Sequence, residues 1–206
     1  MDDLPFSQAC ENNKDVILQA IAPYLQNVTE VLEIGSGTGQ HAVHFAQHLP
    51  HLIWQTTDQP HYHQGINAWI EHASLANVRS PLTLDVTRPW PVAGAQAIFS
   101  ANTTHIMSWS MVLELLKGVG EILETNGYFL LYGPFMFCGE YTSESNQTFD
   151  QSLQSQNPAM GLKEFADIEE LARAAELVFV EKHDLPANNH LLVWQKSIPL
   201  ADSIEF

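Results

Sequence analysis

The sequence predicts a doubly wound α/β fold around a mainly parallel sheet. Short apolar runs alternate with amphipathic stretches over residues 16–132, several of those runs stop at a glycine or an aspartate, and the run at 128–132 is apolar without alternation. Alternating strands and helices imply parallel βαβ units, and an unbroken apolar strand implies a sheet covered on both faces.

Taken in order, Val16, Ile17, Ala20, Ile21, Tyr24 and Leu25 stand at helical spacing and predict an opening helix over 16–25. Val31–Ile34 reads as the first strand, stopping at Gly35, and a helix resumes from Gln40 with Ala42, Val43, Phe45 and Ala46 on one face. Leu52–Thr57 reads as a second strand ended by Asp58, Ile66–Leu75 as a helix, and Pro81–Leu84 as a third strand ended by Asp85. Ala97–Ala101 is the fourth. A long helix follows, in which Met107, Met111, Val112, Leu115, Leu116, Val119, Ile122 and Leu123 form a buried face, with Asn126-Gly127 as its C-terminal cap. Tyr128–Tyr132 is the fifth strand. Val178–Glu181 and His190–Gln195 are two strand-like runs with no helix between them, which predicts an antiparallel pair and one reversed strand near the sheet edge. Phe6–Lys14 and Pro134–Glu164 fit no part of this cycle. Both adjoin the carboxyl ends of strands, where open α/β sheets bind ligands, so both read as lids over a site, with an ordinary surface loop the alternative for 134–164.

Composition bounds the function. The 206 residues suffice for one domain, and 45% apolar against 16% charged residues excludes a disordered chain. No apolar run is long enough to span a bilayer, and the N-terminus lacks the pattern of a signal peptide. Cys10 and Cys138 are the two cysteines, too few for a disulfide framework, so a reducing cytoplasm is expected. Eight Lys and Arg against 24 Asp and Glu give a net charge of −16, with the bases scattered. Nucleic-acid binding rests on Lys and Arg neutralising phosphates, so DNA and RNA are poor partners for this chain. A neutral or cationic small molecule, or a protein surface, suits it better.

The chemistry concentrates in Glu33-Ile34-Gly35-Ser36-Gly37-Thr38-Gly39. Glycine at alternate positions lets the backbone turn tightly and approach a ligand. The position that would complete Gly-x-Gly-x-x-Gly is Gln40, and Glu33 would repel a pyrophosphate while complementing an ammonium or sulfonium. Both details point from NAD toward S-adenosylmethionine (SAM). Asp58 can accept hydrogen bonds from ribose hydroxyls or cap the next helix; Asp85 can accept from an adenine amino group or form a turn before Thr87.

Glu33–Gly39, Asp58 and Asp85, each at a strand end and in this order, resemble the class I SAM-dependent methyltransferases over residues 28–196. A closer resemblance, to the methyltransferase-like-26 family, is carried by Ala9-Cys10-Glu11-Asn12-Asn13, Gly35–His41, Leu84-Asp85-Val86, Ser100–Ile106 and Tyr132-Gly133-Pro134-Phe135, with Asn13 standing where a basic residue often does. The class I resemblance implies a Rossmann-like, seven-stranded, mainly parallel sheet in a single SAM-binding domain. It implies that Glu33, Gly35, Ser36 and Gly37 hold the methionine end of SAM, Asp58 the ribose, and Asp85 with Val86 the adenine. Ala101 and Asn102 would line the pocket beside the methyl group, and Asn12 would reach it if the N-terminal segment folds over.

Methyl transfer needs alignment and exclusion of water, and a general base only if the acceptor must lose a proton. Asn102, His105 and Tyr132, at the ends of the fourth and fifth strands, are the catalytic candidates; His105 serves either as a base or as a backbone-bonded histidine near a helix start. His41, His44 and His48 recur at helical spacing with His61 and His63 nearby, but no Cys cluster or His-Glu-x-x-His accompanies them, so a solvated helix face is expected and no metal. Trp90 and Trp109 are candidates to border the acceptor pocket. Two other readings stay open. An NAD-dependent oxidoreductase could use Asp58, though Gln40 and the lack of Tyr-x-x-x-Lys oppose it. A SAM-binding protein without catalysis is favoured by Asn102-Thr103-Thr104 standing in place of Asn/Asp-Pro-Pro-Tyr, a replacement that also argues against base methylation.

Overall fold

Along each central strand, successive side chains enter two different cores. Leu32 and Ile34, Ile98, Phe129 and Leu131, Leu192 and Trp194 fall in one; Val31, Ala97 and Phe99, Leu130 and Tyr132, Leu191 and Val193 fall in the other. That alternation builds three layers from a sheet buried on both sides. Fully buried side chains such as Phe45 and Phe99 each contribute about 1.5–3 kcal/mol, against about 1 kcal/mol for a typical helix cap.

The computed structural model describes residues 4–197. Its main sheet holds β1 (Glu30–Ile34), β2 (Ile53–Asp58), β3 (Val78–Thr83), β4 (Ala95–Ala101), β5 (Leu123–Gly133), β9 (Leu177–Leu185) and β10 (Asn189–Lys196) in the order β3-β2-β1-β4-β5-β10-β9. The pairs among β1 to β5 are parallel, and β10 runs antiparallel to both β5 and β9. The expected seven-stranded, mainly parallel sheet with one reversed strand near its edge is therefore the observed one. Helices α1 (Gln8–Ile21) and α2 (Gln40–His48) cover one face, with α3 (His63–Ala73) beside α2; α4 (Trp109–Ile122) and α6 (Phe165–Ala174) cover the other.

Several local expectations need correction. The first helix starts at Gln8, because the Ser7 hydroxyl accepts from the Cys10 amide and caps it; Pro23 then tightens the chain into a 3-10 turn at Ala22–Leu25. Most of Phe6–Lys14 is thus helical. Met107 precedes α4 in extended backbone, since Ser108 caps that helix. Asn126-Gly127 does not cap α4 either. The chain enters β5 at Leu123, and Asn126, at φ 66°, sits where the β4–β5 register shifts. Strand β3 begins three residues early and contains Pro81, tolerated because the strand lies at the sheet edge.

Residues 134–164 fold on themselves. Strands β6 (Phe135–Phe137), β7 (Glu140–Tyr141) and β8 (Lys163–Glu164) make a small sheet, with helix α5 (Glu144–Gln156) beside it. Its hub is Asp150, 2% exposed, whose carboxylate accepts from the Tyr141 hydroxyl (2.7 Å), the Gln154 amide (2.8 Å) and the Leu162 N–H (2.6 Å). Neither α5 nor α6 (Phe165–Ala174) is among the elements that the spacing predicts. In α5 most residues are polar and Leu153 is the one buried apolar side chain, so little periodicity is available to read.

Candidate functional site

A cavity of about 920 Å³ opens along the carboxyl ends of the parallel strands, at the upper end of the range for small-ligand sites. It lies where chain direction diverges from β1 toward β2 on one side and β4 on the other, the place where open α/β sheets bind ligands.

One rim comes from β1, β2 and β3. Gly35 and Gly37 sit at φ 75° and 57°, in the left-handed region. A Cβ on Gly35 would stand 2.6 Å from Thr103 Cγ2, so the close approach of this turn to the β4 loop requires glycine. A Cβ on Gly37 would meet nothing within 4 Å, which leaves its backbone open to a ligand. The Gly37 N–H donates to Asp58 Oδ2 (2.7 Å) and the Gln59 N–H to Asp58 Oδ1 (2.7 Å), fixing that carboxylate at the end of β2. Burial raises its pKa, and those two N–H groups oppose the rise. Asp85 holds its turn through Thr87, whose N–H (2.9 Å) and hydroxyl (2.8 Å) both donate to Oδ1; those bonds lower its pKa. Ser36, Asp85 and Val86 line the cavity.

Glu33 stands behind this wall. It is 2% exposed, does not line the cavity, and accepts from the Trp54 indole N–H at 3.1 Å. Burial pushes its pKa up to about 7, the Ser36 and Trp54 bonds notwithstanding.

The other rim comes from β4, β5 and the elements around them. The Asn102 N–H donates to Tyr132 O (2.9 Å), and Ser100 Oγ bridges Ile34 O (2.8 Å) and Thr103 Oγ1 (2.7 Å), locking the β1, β4 and β5 ends together. Asn102 takes φ 59°, a conformation its short amide tolerates better than most side chains. Ala101, Asn102, His105 and Tyr132 all line the cavity. His105, in a 3-10 turn at Thr104–Ile106, is 8% exposed; its Nδ1 has no hydrogen-bond partner, and Phe149 meets its ring edge-on at 5.2 Å. Burial, then the nearby Lys163 charge, lowers its pKa to about 4, so the imidazole is neutral at pH 7. Burial also raises the Tyr132 phenol, opposed by a bond to Asn13.

Helix α1 brings Asn12 to the wall and adds residues that the spacing did not single out. Asn13 Oδ1 lies 2.7 Å from His41 Nε2, and burial drops His41 to a pKa of about 4. Gln40 Oε1 accepts from the Ser7 N–H at 2.6 Å, so the residue standing in place of a third glycine ties α1 to the glycine turn. Gln59, Tyr62, Asn146, Phe149, Pro186 and Asn189 also line the cavity without any motif to announce them. Trp90 and Trp109 do not line it. Among the described residues, no group of three His, Cys, Asp or Glu stands together to hold a metal ion, and no helix is long and apolar enough to cross a membrane.

Set beside known proteins, residues 4–196 match the family DUF938, described as a protein of unknown function. Among solved structures, an O-methyltransferase family protein from Burkholderia thailandensis superposes with a TM-score of 0.83 at 16% identity, over 94% of this chain and 57% of that one. Human N-acetylserotonin methyltransferase in complex with SAM gives a TM-score of 0.79 at 15% identity, over 93% and 53%. An O-methyltransferase family 2 protein from Planctomyces limnophilus in complex with apigenin gives 0.73 at 15% identity, over 90% and 62%. The chain thus spans less than two thirds of each of these proteins, and the likeness is one of fold.

Proposed function

The chain belongs to the DUF938 family of proteins of unknown function, and we propose that it is a SAM-dependent methyltransferase acting on a small molecule in preference to nucleic acid. The observation that carries this reading is the convergence on one cavity of the Gly35–Gly37 turn, Asp58 and Asp85-Val86 from three strand ends, facing Asn102, His105 and Tyr132. The donor set fits the cofactor. Carboxylates at the ends of β2 and β3 can accept from ribose hydroxyls and an adenine amino group. Among the described residues no Lys or Arg lines the cavity to meet a pyrophosphate. The resemblance to methyltransferase-like-26, and the SAM and apigenin complexes of fold neighbours, support the same reading.

In this reading Gly35, Ser36 and Gly37 hold the methionine end of SAM, with Glu33 setting the charge behind them. Asp58 holds the ribose, Asp85 and Val86 the adenine, and Ala101 and Asn102 border the methyl group. Asn12 and the rest of residues 6–14, together with 134–164, cover the site. Bound SAM supplies an electrophilic methyl carbon on a sulfonium. His105, neutral and buried, takes the acceptor's proton, while Tyr132 and Asn102 orient the acceptor. An imidazole of such low basicity takes that proton late, once bonding to carbon has made the attacking atom strongly acidic.

Calorimetric titration with SAM, S-adenosylhomocysteine (SAH) and NAD tests the cofactor. Binding of the two adenosyl ligands without NAD is expected, and binding of NAD alone would overturn the reading. Transfer of label from methyl-labelled SAM to a trapped product then separates an enzyme from a SAM-binding protein without catalysis.

A further inference from the structure

The sheet order divides the cavity wall into chemically different halves. Both carboxylates that line it, Asp58 and Asp85, belong to the β2 and β3 ends. Beyond β4, the polar lining includes Asn12, Asn102, Asn146, Asn189, Tyr132 and His105, and among the described residues no Asp, Glu, Lys or Arg joins them. The apolar lining there includes Ile106, Met111, Pro134, Phe149 and Pro186, with Phe149 exposed at 40%.

Two of the amides are fixed through one end. Asn146 Nδ2 donates to Thr142 Oγ1 (2.8 Å) and to Asn188 O (3.0 Å), joining α5 to the β9–β10 turn, and Gln8 donates to Asn12 Oδ1 (2.8 Å). These bonds leave Asn146 Oδ1 and Asn12 Nδ2 available. The buried charges Lys163 and Asp150 do not line the cavity. Lys163 Nζ donates to Gly161 O (2.9 Å) and lies 5.6 Å from the Trp109 ring centroid, and Asp150 is filled by protein donors.

Resting on the methyltransferase reading, we infer that the acceptor is an uncharged hydroxyl compound with an apolar body, taken in preference to a carboxylate, a phosphate or an ammonium. A charged group moved into this half would lose its water without meeting an opposite charge, whereas amides, a phenol and an imidazole can satisfy a neutral donor or acceptor. A net charge of −16 opposes anions further. The reaction balances without a charged partner. The hydroxyl oxygen bonds to the methyl carbon as the carbon–sulfur bond breaks, its electron pair remaining on sulfur, and the hydroxyl proton passes to His105.

The test uses the full chain saturated with SAH and matched probes, with binding read by calorimetry. The pairs are 4-hydroxybenzamide against 4-hydroxybenzoate, and 4-(2-hydroxyethyl)phenol against 4-(2-aminoethyl)phenol. The neutral member of each pair should bind at least about tenfold tighter, and Asn189→Lys should turn the first preference toward 4-hydroxybenzoate. SAH binding is measured first, and its failure would overturn the methyltransferase reading itself. With SAH bound, the inference alone is overturned if a charged member matches its neutral partner or if neither neutral probe binds.

Discussion

The rim made by β1, β2 and β3 and the rim beyond β4 face one cavity, yet their functional groups travel different distances to reach it. On the first, each group sits within a few residues of its own strand end, and its geometry is set within one turn or between adjacent strand ends: Thr87 to Asp85, Gly37 N–H to Asp58. On the second, α1, the β4 and β5 loops, α5 and the β9–β10 turn all supply side chains. A locally built rim keeps its shape when a distant element is disturbed. A rim assembled from five segments depends on every contact among them.

The largest effect should come from the second rim. His105→Ala is expected to lower kcat by about 10²- to 10³-fold while SAH affinity stays within about twofold. An equal loss of SAH affinity would erase the division between the halves. Because the neutral form of His105 persists down to about pH 4, kcat should stay level through 6.5 and fall only near 4; an inflection near 6.5 that His105→Ala removes would mean the imidazole keeps its ordinary basicity, and a profile unchanged in His105→Ala would mean it is not the base.

On the first rim, Asp58→Ala should weaken SAH binding by roughly a hundredfold, the loss of two charge-assisted hydrogen bonds. Unchanged affinity would sink the ribose assignment. A smaller, local effect is expected at Asp150→Asn, which disturbs the hub of residues 134–164. Amide exchange should quicken in that segment with SAH affinity nearly unchanged, whereas exchange spreading into β1 and β2 would show the halves to be one unit.

The subtlest test concerns Glu33. Its pKa in the free fold is raised to about 7 from 4.5, so its neutral form stabilises the free protein fully below pH 4.5, and that stabilisation is lost as pH rises through 7. A ligand ammonium would favour the carboxylate. SAH binding near pH 6 should therefore release up to about one proton, read from calorimetry in two buffers of different ionisation enthalpy. Glu33→Gln should abolish the release.

How much of this was legible follows from where each cause acts. Alternation in Val31–Ile34 and Tyr128–Tyr132, the glycine turn at 35–39, and aspartates closing two strands are properties of neighbouring residues. Backbone sterics and side-chain period are local, so the sequence by itself determined the parallel sheet, the reversed strand near its edge, and the first rim. Local reading failed where a neighbour elsewhere decided the outcome. Asn126-Gly127 resembles a cap until β4 pairs with Leu123, and α5, nearly all polar, is anchored by Asp150, which gathers partners from β7 and from Leu162 just before β8. Asn146, Phe149 and Asn189 carry no motif, and Glu33 withdraws behind the wall only because Trp54 on the adjacent strand receives it. Which side chains meet across the cavity was decided by tertiary structure alone, since packing and burial depend on residues far apart in the chain.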